Sequence, residues 1–281
     1  MKTVLVTGGT DGIGKGMALH YLQNGYQVIA VGNSNDKGHR LQDEANSMGK
    51  GAALTFIRAD LSLVEENLRV VKQVSSQAPA LDALVLCAAS LKPQECYKET
   101  KEGFEFTFAL YYLSRYILCY QLKSLLEKAE SPVIINVCAP GMSGKISWDD
   151  IQMKQNYNGQ KAQFHGSRLN DLLGVSFHEK DKVGKIRYIL FNPMAARTPG
   201  AAKMGEGNPF MRFSMKIYYK LLGKDVSEIV SIIDKVVKNT AAPGLTAYKL
   251  SQPVDMSKDT FDQNNASKLD CYTAEQIKKF L

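Results

Sequence analysis

The sequence is poor in the features that mark membrane, secreted and metal-built proteins. No apolar run approaches the ~18–20 residues a membrane-spanning helix needs, so a span is excluded. There are only five cysteines (Cys87, Cys96, Cys119, Cys138 and Cys271), odd in number and scattered, with no CxxC pair and no histidine cluster beside them. That excludes a disulfide framework or a zinc site and suits a reducing compartment. Internal repeats and low-complexity stretches are missing too, which excludes solenoids and disordered linkers. No nucleic-acid module is present, and the formal charge of +7 comes from lysines spread along the chain. This reads as a solvated basic surface that would also welcome a phosphate-rich ligand. The first apolar strand starts at Thr3, leaving no room for a signal peptide, so the expectation is a soluble cytoplasmic protein.

What the chain has is enough apolar residue for one large core: 281 residues, 44% hydrophobic, fit a single domain over 1–281. Thr3-Val4-Leu5-Val6 reads as a strand that passes into a helix through Thr7-Gly8-Gly9-Thr10-Asp11-Gly12-Ile13-Gly14. Glycines there permit positive φ and close backbone approach. The helix beginning near Gly12 offers unpaired N–H groups and a positive dipole end, a setting for phosphate. An ordinary strand-to-helix turn is the alternative for the loop taken alone.

Strands and helices then alternate. Strands are expected at 27–31, 53–59, 83–87, 133–137 and 187–191, and helices at 36–48, 63–74, 103–128 and from about Asp149. The strands are apolar throughout and the crossovers too long for hairpins, so the fold class is α/β, a doubly wound parallel sheet. Ligands in such sheets bind beyond the carboxyl ends of the strands. After the second strand stand Gly32, Asn33 and Ser34, where an NAD-selective site would place an acid. Asn33 and Ser34 with Lys37 or Arg40 would suit a 2′-phosphate, which favours NADP over NAD. Asp60-Leu61, after the third strand, is placed to hold an adenine, or Asp60 caps the next helix.

These motifs, together with Tyr157-Asn158-Gly159-Gln160-Lys161 and Asn192-Pro193 with Thr198, resemble the short-chain dehydrogenases/reductases over roughly residues 3–200. The Gly-x3-Gly-x-Gly spacing of Gly8, Gly12 and Gly14 matches that family. The long helix, Tyr248 and Ala274-Glu275-Gln276 are most similar to its retinol-dehydrogenase-like and protochlorophyllide-reductase-like branch. The resemblance implies a Rossmann-like domain binding NADP through Thr7, Gly8, Thr10, Asp11, Gly12, Ile13, Gly14, Asn33, Ser34, Asp60, Leu61, Ala88, Ala89, Tyr157, Lys161, Pro193 and Thr198. It implies chemistry at Tyr157 and Lys161. Residues four apart share a helix face, and a nearby ammonium lowers a phenol's pKa from ~10. Hydride then moves to or from the nicotinamide while the tyrosine exchanges a proton.

Three places depart from the family. Ala139 stands for a serine that steadies the substrate carbonyl, and loss of one such donor commonly costs ~3–4 kcal/mol. Ser143 is the nearest replacement and Cys138 a weaker one. Tyr111 stands for a catalytic asparagine, and Cys87-Ala88-Ala89 for Asn-Ala-Gly. The expected function is therefore an NADP-dependent oxidoreductase acting on a ketone, alcohol or activated double bond of an apolar or aromatic small molecule. A catalytically weak nucleotide-binding sensor or scaffold, or a non-redox tailoring enzyme using the Tyr–Lys site, are the alternatives. Residues 199–224, rich in methionine and aromatics interleaved with bases, read as a helical substrate lid, a core-packed helix or a membrane-touching one. His165 reads as structural, and Ser257–Lys268 as an irregular surface segment. The resemblance further implies a possible homodimer through the long helix and the Tyr–Lys helix, with Tyr111, Tyr112, Tyr116 and Cys119 giving that face an aromatic character.

Overall fold

Strand β1 (Thr3–Thr7) is buried along its whole length, because Val4, Leu5 and Val6 alternate between two apolar layers that close on both faces of one sheet. In the computed structural model, which describes residues 1–202 and 209–281, β1 pairs in parallel with β2 (Gln27–Gly32) on one side and β4 (Ala83–Leu86) on the other. β3 (Leu54–Arg58) extends one edge. β5 (Val133–Val137) and β6 (Arg187–Asn192) extend the other, followed by Gly244–Lys249 and a short antiparallel strand, Gln252–Pro253. The order is 3-2-1-4-5-6 and then these two edge strands. The order in which strands are added reverses between β1 and β4, and that crevice is where a doubly wound sheet takes its ligand. The parallel sheet and its single domain agree with the reading from sequence.

Helices α1 (Gly12–Gln23) and α2 (Asn35–Ser47) start where their caps put them, and α3 (Val64–Gln77) follows Leu63, which makes no side-chain cap. Asp11 caps α1, and Ser34 caps α2. The long helix spans 106–121 and carries a π segment at Ala109–Leu113. The next long helix begins at Gly159 and runs to Glu179, ten residues later than expected from Asp149; only a 3-10 turn, Trp148–Asp150, forms before it. Asn158 is extended and its side chain accepts the Lys161 N–H, so the cap fixes the start.

Two expectations are corrected near the C-terminus. A helix, Gln263–Ile277, begins inside the segment Ser257–Lys268 read as irregular and runs on beyond it. It packs on the Gly159–Glu179 helix and covers the aromatic face read as a dimer surface: Tyr112 Oη lies 2.7 Å from Thr273 Oγ1, and Tyr116 Oη donates to Asp270 at 3.3 Å. That face is buried within the chain itself. Of the segment read as a lid, residues 203–208 lie outside the described residues. The helix Pro209–Leu222 follows. Among the described residues no helix is long and apolar enough to cross a membrane.

One buried charge ties the open end of the sheet together. Arg115, on the long helix and 1% exposed, donates to Asn136 Oδ1, to the Val137 carbonyl at 2.9 Å and to the Ala88 carbonyl at 3.2 Å. It thus joins the ends of β4 and β5, where Cys87 supplies no side-chain amide for that task. No carboxylate pairs with it among the described residues; two carbonyls and an amide oxygen take its Nη groups, the Tyr111 ring covers the guanidinium plane, and Nε is buried without a hydrogen-bond partner. Replacing it by methionine leaves those acceptors unmet. Arg115→Met should lower unfolding free energy by about 3 kcal/mol with an unchanged urea m-value; a loss under about 0.5 kcal/mol would contradict the bracing role.

Candidate active site

The cofactor half is built as the glycine spacing requires. Gly8 (φ +63°) lies under the start of the segment after β4, and a Cβ there would meet the Ala88 nitrogen at 3.0 Å. A Cβ on Gly14 would meet the Gly8 carbonyl at 2.3 Å, so the loop folds tightly on itself. Thr7 is buried and its hydroxyl accepts from the Cys87 and Ala88 N–H groups, bracing β1 against β4. Thr10 packs against Gly32, whose Cβ would come within 2.5 Å of its hydroxyl. Asp11 takes the Gly12 N–H at 2.8 Å, so this donor is already used; the next two first-turn donors, of Ile13 and Gly14, receive no side-chain cap among the described residues.

Beside the loop opens a cleft of about 440 Å³ lined by Thr10, Asp11, Lys15, Lys37, Arg40, Pro199 and Gly200. Lys37 pairs with Asp11 and Lys15 with Glu44, whereas Arg40 has no acidic partner among the described residues. Several expected contacts are engaged elsewhere. The Ser34 hydroxyl caps α2, while the Asn33 side chain is exposed and makes no hydrogen bond among the described residues. Asp60 does not cap α3: its carboxylate turns onto the Ser62 N–H and hydroxyl, and Glu102 meets the Val64 and Glu65 N–H groups instead. Leu61 is buried in the core, its carbonyl taken by Asn67. The Ala88 carbonyl takes Arg115, and Ala89 is exposed. After β6, Pro193 is half-buried and Met194 holds φ +55° with its N–H on Asn192 Oδ1. The Thr198 hydroxyl caps the turn Pro199–Ala202, and its methyl faces Gly12.

The chemical half differs from expectation. Tyr157 precedes the helix, so it and Lys161 do not share a helical face. Its hydroxyl donates to the buried Glu105 carboxylate at 2.9 Å and lies 3.4 Å from Thr107. Burial pushes the phenol up to about 12, with the Glu105 charge adding to it against the Thr107 hydrogen bond. Such a phenol is a poor acid or base near neutrality. Lys161 is exposed and makes no ion pair or side-chain hydrogen bond among the described residues. Ser143 is exposed on a loop held at Gly141 by Asp171 (3.1 Å) and at Gly144 by Arg168 (3.0 Å), two to three turns beyond Lys161.

Tyr111, which the resemblance sets in the place of an asparagine, is closely packed. It sits in the π segment, its ring lies where a Cβ on Gly166 would come within 2.7 Å, and its hydroxyl is 3.2 Å from Ser167 Oγ. The Arg115 guanidinium covers the ring at 4.5 Å. Asn170 donates to the Tyr111 and Gly166 carbonyls at 2.8 Å and accepts from Asn136 at 3.0 Å, completing the network.

A short-chain dehydrogenase family model matches residues 2–162, more than half of the 281. The chain belongs to the short-chain dehydrogenase family. Among curated relatives of this short-chain dehydrogenase, polyprenol dehydrogenase of Danio rerio is 29% identical over 191 residues, covering 65% of this chain and 56% of the relative. Retinol dehydrogenase 13 of Mus musculus is 27% identical over 169 residues, covering 60% and 50%. They place it in the retinol-dehydrogenase-like branch, and it spans about half the length of each. A 3-ketoacyl-(acyl-carrier-protein) reductase of Brucella melitensis solved with NADH superposes with a TM-score of 0.67 at 19% identity, over 89% of this chain and 96% of that one. A short-chain dehydrogenase of Shigella flexneri solved with NADP gives 0.66 at 17%, over 89% and 96%. These likenesses establish the fold.

Reading the sequence missed Arg115, Glu105 and Asp171. A lone arginine among apolar residues of the long helix was the available signal for the first. His165, read as structural, is buried and accepts the Ser147 N–H at 3.2 Å; burial depresses its imidazole from 6.5 to about 4, with the Arg168 charge adding. A depressed folded-state value means that this stabilisation is complete above pH 6.5 and is lost as pH falls toward 4. Asp171, raised by burial to about 7, works oppositely, its contribution declining from about pH 4 upward. Comparison with a variant isolates the histidine. On acidification from pH 6.5 to 4 the wild type should lose up to about 3 kcal/mol more than His165→Gln in urea unfolding; parallel losses would contradict a neutral buried imidazole.

Proposed function

We propose that this chain binds NADP(H) across the glycine loop and moves hydride between it and an apolar small molecule, an activated double bond being the best-fitting acceptor. The observation that carries the NADP preference is Arg40: an unbalanced guanidinium in the cleft beyond an acid-free β2 end, with Lys15 and Lys37 beside it. A 2′-phosphate supplies the missing anion. The exposed Asn33 and the half-buried Ser34 lie at the same end, and the N–H groups of Ile13 and Gly14 serve the pyrophosphate. When bound, the cofactor supplies or accepts hydride at its nicotinamide C4.

The apolar character of the substrate rests on the large side chains left in solvent at the carboxyl ends of the strands. Leu91 follows β4, Met194 follows β6, and Phe164 lies on the helix beside them; they are 42%, 40% and 56% exposed. The Pro209–Leu222 helix exposes Ile217, Tyr218, Leu221 and Leu222 as well, which suits this helix as an apolar cover. Polyprenol and retinol in the relatives' names point to the same class of molecule. Preference for an activated double bond follows from Ala139, which has no hydroxyl for a carbonyl oxygen, and from Tyr157, held on Glu105. Delocalised charge needs less help from either. The same two residues also support the second reading, a nucleotide-binding protein with little turnover. Five unpaired thiols suit a cytoplasmic setting.

Fluorescence titration should show NADPH binding at least tenfold tighter than NADH, and Arg40→Ala should weaken NADPH about five- to tenfold while leaving NADH within twofold. Equal affinity for the two cofactors would contradict the 2′-phosphate site. Enones should be turned over faster than simple ketones; tight NADPH binding without turnover of quinones, ketones or enones would favour the non-catalytic reading.

A further inference from the structure

We infer that the reacting face of this site is formed by Phe164 and Arg168, four residues apart on the Gly159–Glu179 helix, and that Tyr157 and Lys161 lie outside it. The inference rests on the proposed cofactor reading and deepens it. Residues of one catalytic centre have to be met by one stretch of helix. Ala139 and Tyr111 stand in two of its places, and their surroundings show which stretch that is. Tyr111 touches Gly166, Ser167 and Asn170. The segment after β5 runs antiparallel to the helix, Gly141 on Asp171, Gly144 on Arg168 and Ser147 on His165.

Each of these contacts falls between residues 165 and 171. The preceding turns face another way: Tyr157 meets Glu105 and Thr107, Gly159 lies against Gln94, and Gln163 donates to the Ser90 carbonyl at 2.8 Å. Seven residues separate Lys161 from Arg168, about 10 Å along the axis. A pair four apart that reaches the level of Tyr111 from the open end of the helix is Phe164 with Arg168. Phe164 is 56% exposed, and Arg168 is buried on Gly144, Asp171 and the Thr260 carbonyl.

A phenyl ring holds no exchangeable proton, and a guanidinium, which stays protonated in proteins, releases none as an acid. The site therefore offers an apolar wall and a fixed loop, with no tyrosine acid. Hydride adds to the β-carbon of an activated double bond, the π pair shifts onto the conjugated oxygen, and the proton that completes the product comes from water. Acceptors able to hold that charge, enones and quinones, are the class such a site serves; Arg168 acts as a positioning residue.

Two measurements on the full chain test this. Absorbance at 295 nm, titrated from pH 7 to 10, should be the same for wild type and Tyr157→Phe, and Lys161→Ala should keep its NADPH affinity within twofold. In Phe164→Cys and Tyr157→Cys variants, peptide-resolved alkylation should be slowed at least fivefold by NADPH at 164 and left unchanged at 157. A tyrosinate below pH 9 that Tyr157→Phe removes, a tenfold NADPH loss in Lys161→Ala, or protection at 157 in place of 164 would overturn the inference. Failure of the wild type to bind NADPH would sink the cofactor reading alone, since the tyrosinate titration decides between the two residue pairs without any cofactor.

Discussion

A guanidinium buried without a carboxylate partner among the described residues is the constraint around which this site is arranged. Desolvating Arg115 is tolerable only if several fixed acceptors replace its water, and the ends of β4 and β5 supply them through the Ala88 and Val137 carbonyls and Asn136. Asn136 is then fixed against Asn170 and Tyr188, and Asn170 against Tyr111. The register of the Gly159–Glu179 helix against the long helix follows from this chain of contacts. So does the level at which Tyr111 meets that helix, at Gly166, Ser167 and Asn170, the stretch that holds Phe164 and Arg168 and lies beyond Tyr157 and Lys161.

The molecule thus separates binding from chemistry. Its cofactor half keeps the packed glycine turn, the first-turn donors of α1 and a cationic cleft. Its proposed chemical half holds a methyl at Ala139 and an aromatic ring at Tyr111, where the resemblance would set polar groups, and a phenol held high by burial and Glu105. Exposed apolar side chains surround that half. Together these features suit hydride transfer to a conjugated apolar acceptor better than general acid catalysis on a ketone.

Much of this was legible in the sequence where the cause is local. Apolar strand runs separated by helical periods dictated the sheet, and Gly8, Gly12 and Gly14 marked the turn because only small residues fit there. Ala139 and Tyr111 stood out as departures for the same reason: each sits at a fixed distance from a strand or helix end. What was not legible depends on distant partners. Tyr157-x3-Lys161 has the right spacing, but the Asn158 cap starts the helix after the tyrosine, and Glu105, 52 residues away, captures its hydroxyl. The aromatic face of the long helix is likewise closed by Thr273 and Asp270, far along the chain.

The central claim is that the nicotinamide meets Phe164 and Ala139 and not the Tyr157–Lys161 pair. A crystal structure of the NADPH complex tests it most directly. The account predicts that nicotinamide C4 packs against Phe164 and Ala139 while Tyr157 Oη stays on Glu105 and Lys161 stays in solvent. Tyr157 Oη turned to within hydrogen-bond reach of a substrate oxygen at C4, with Lys161 on the nicotinamide ribose, would contradict it.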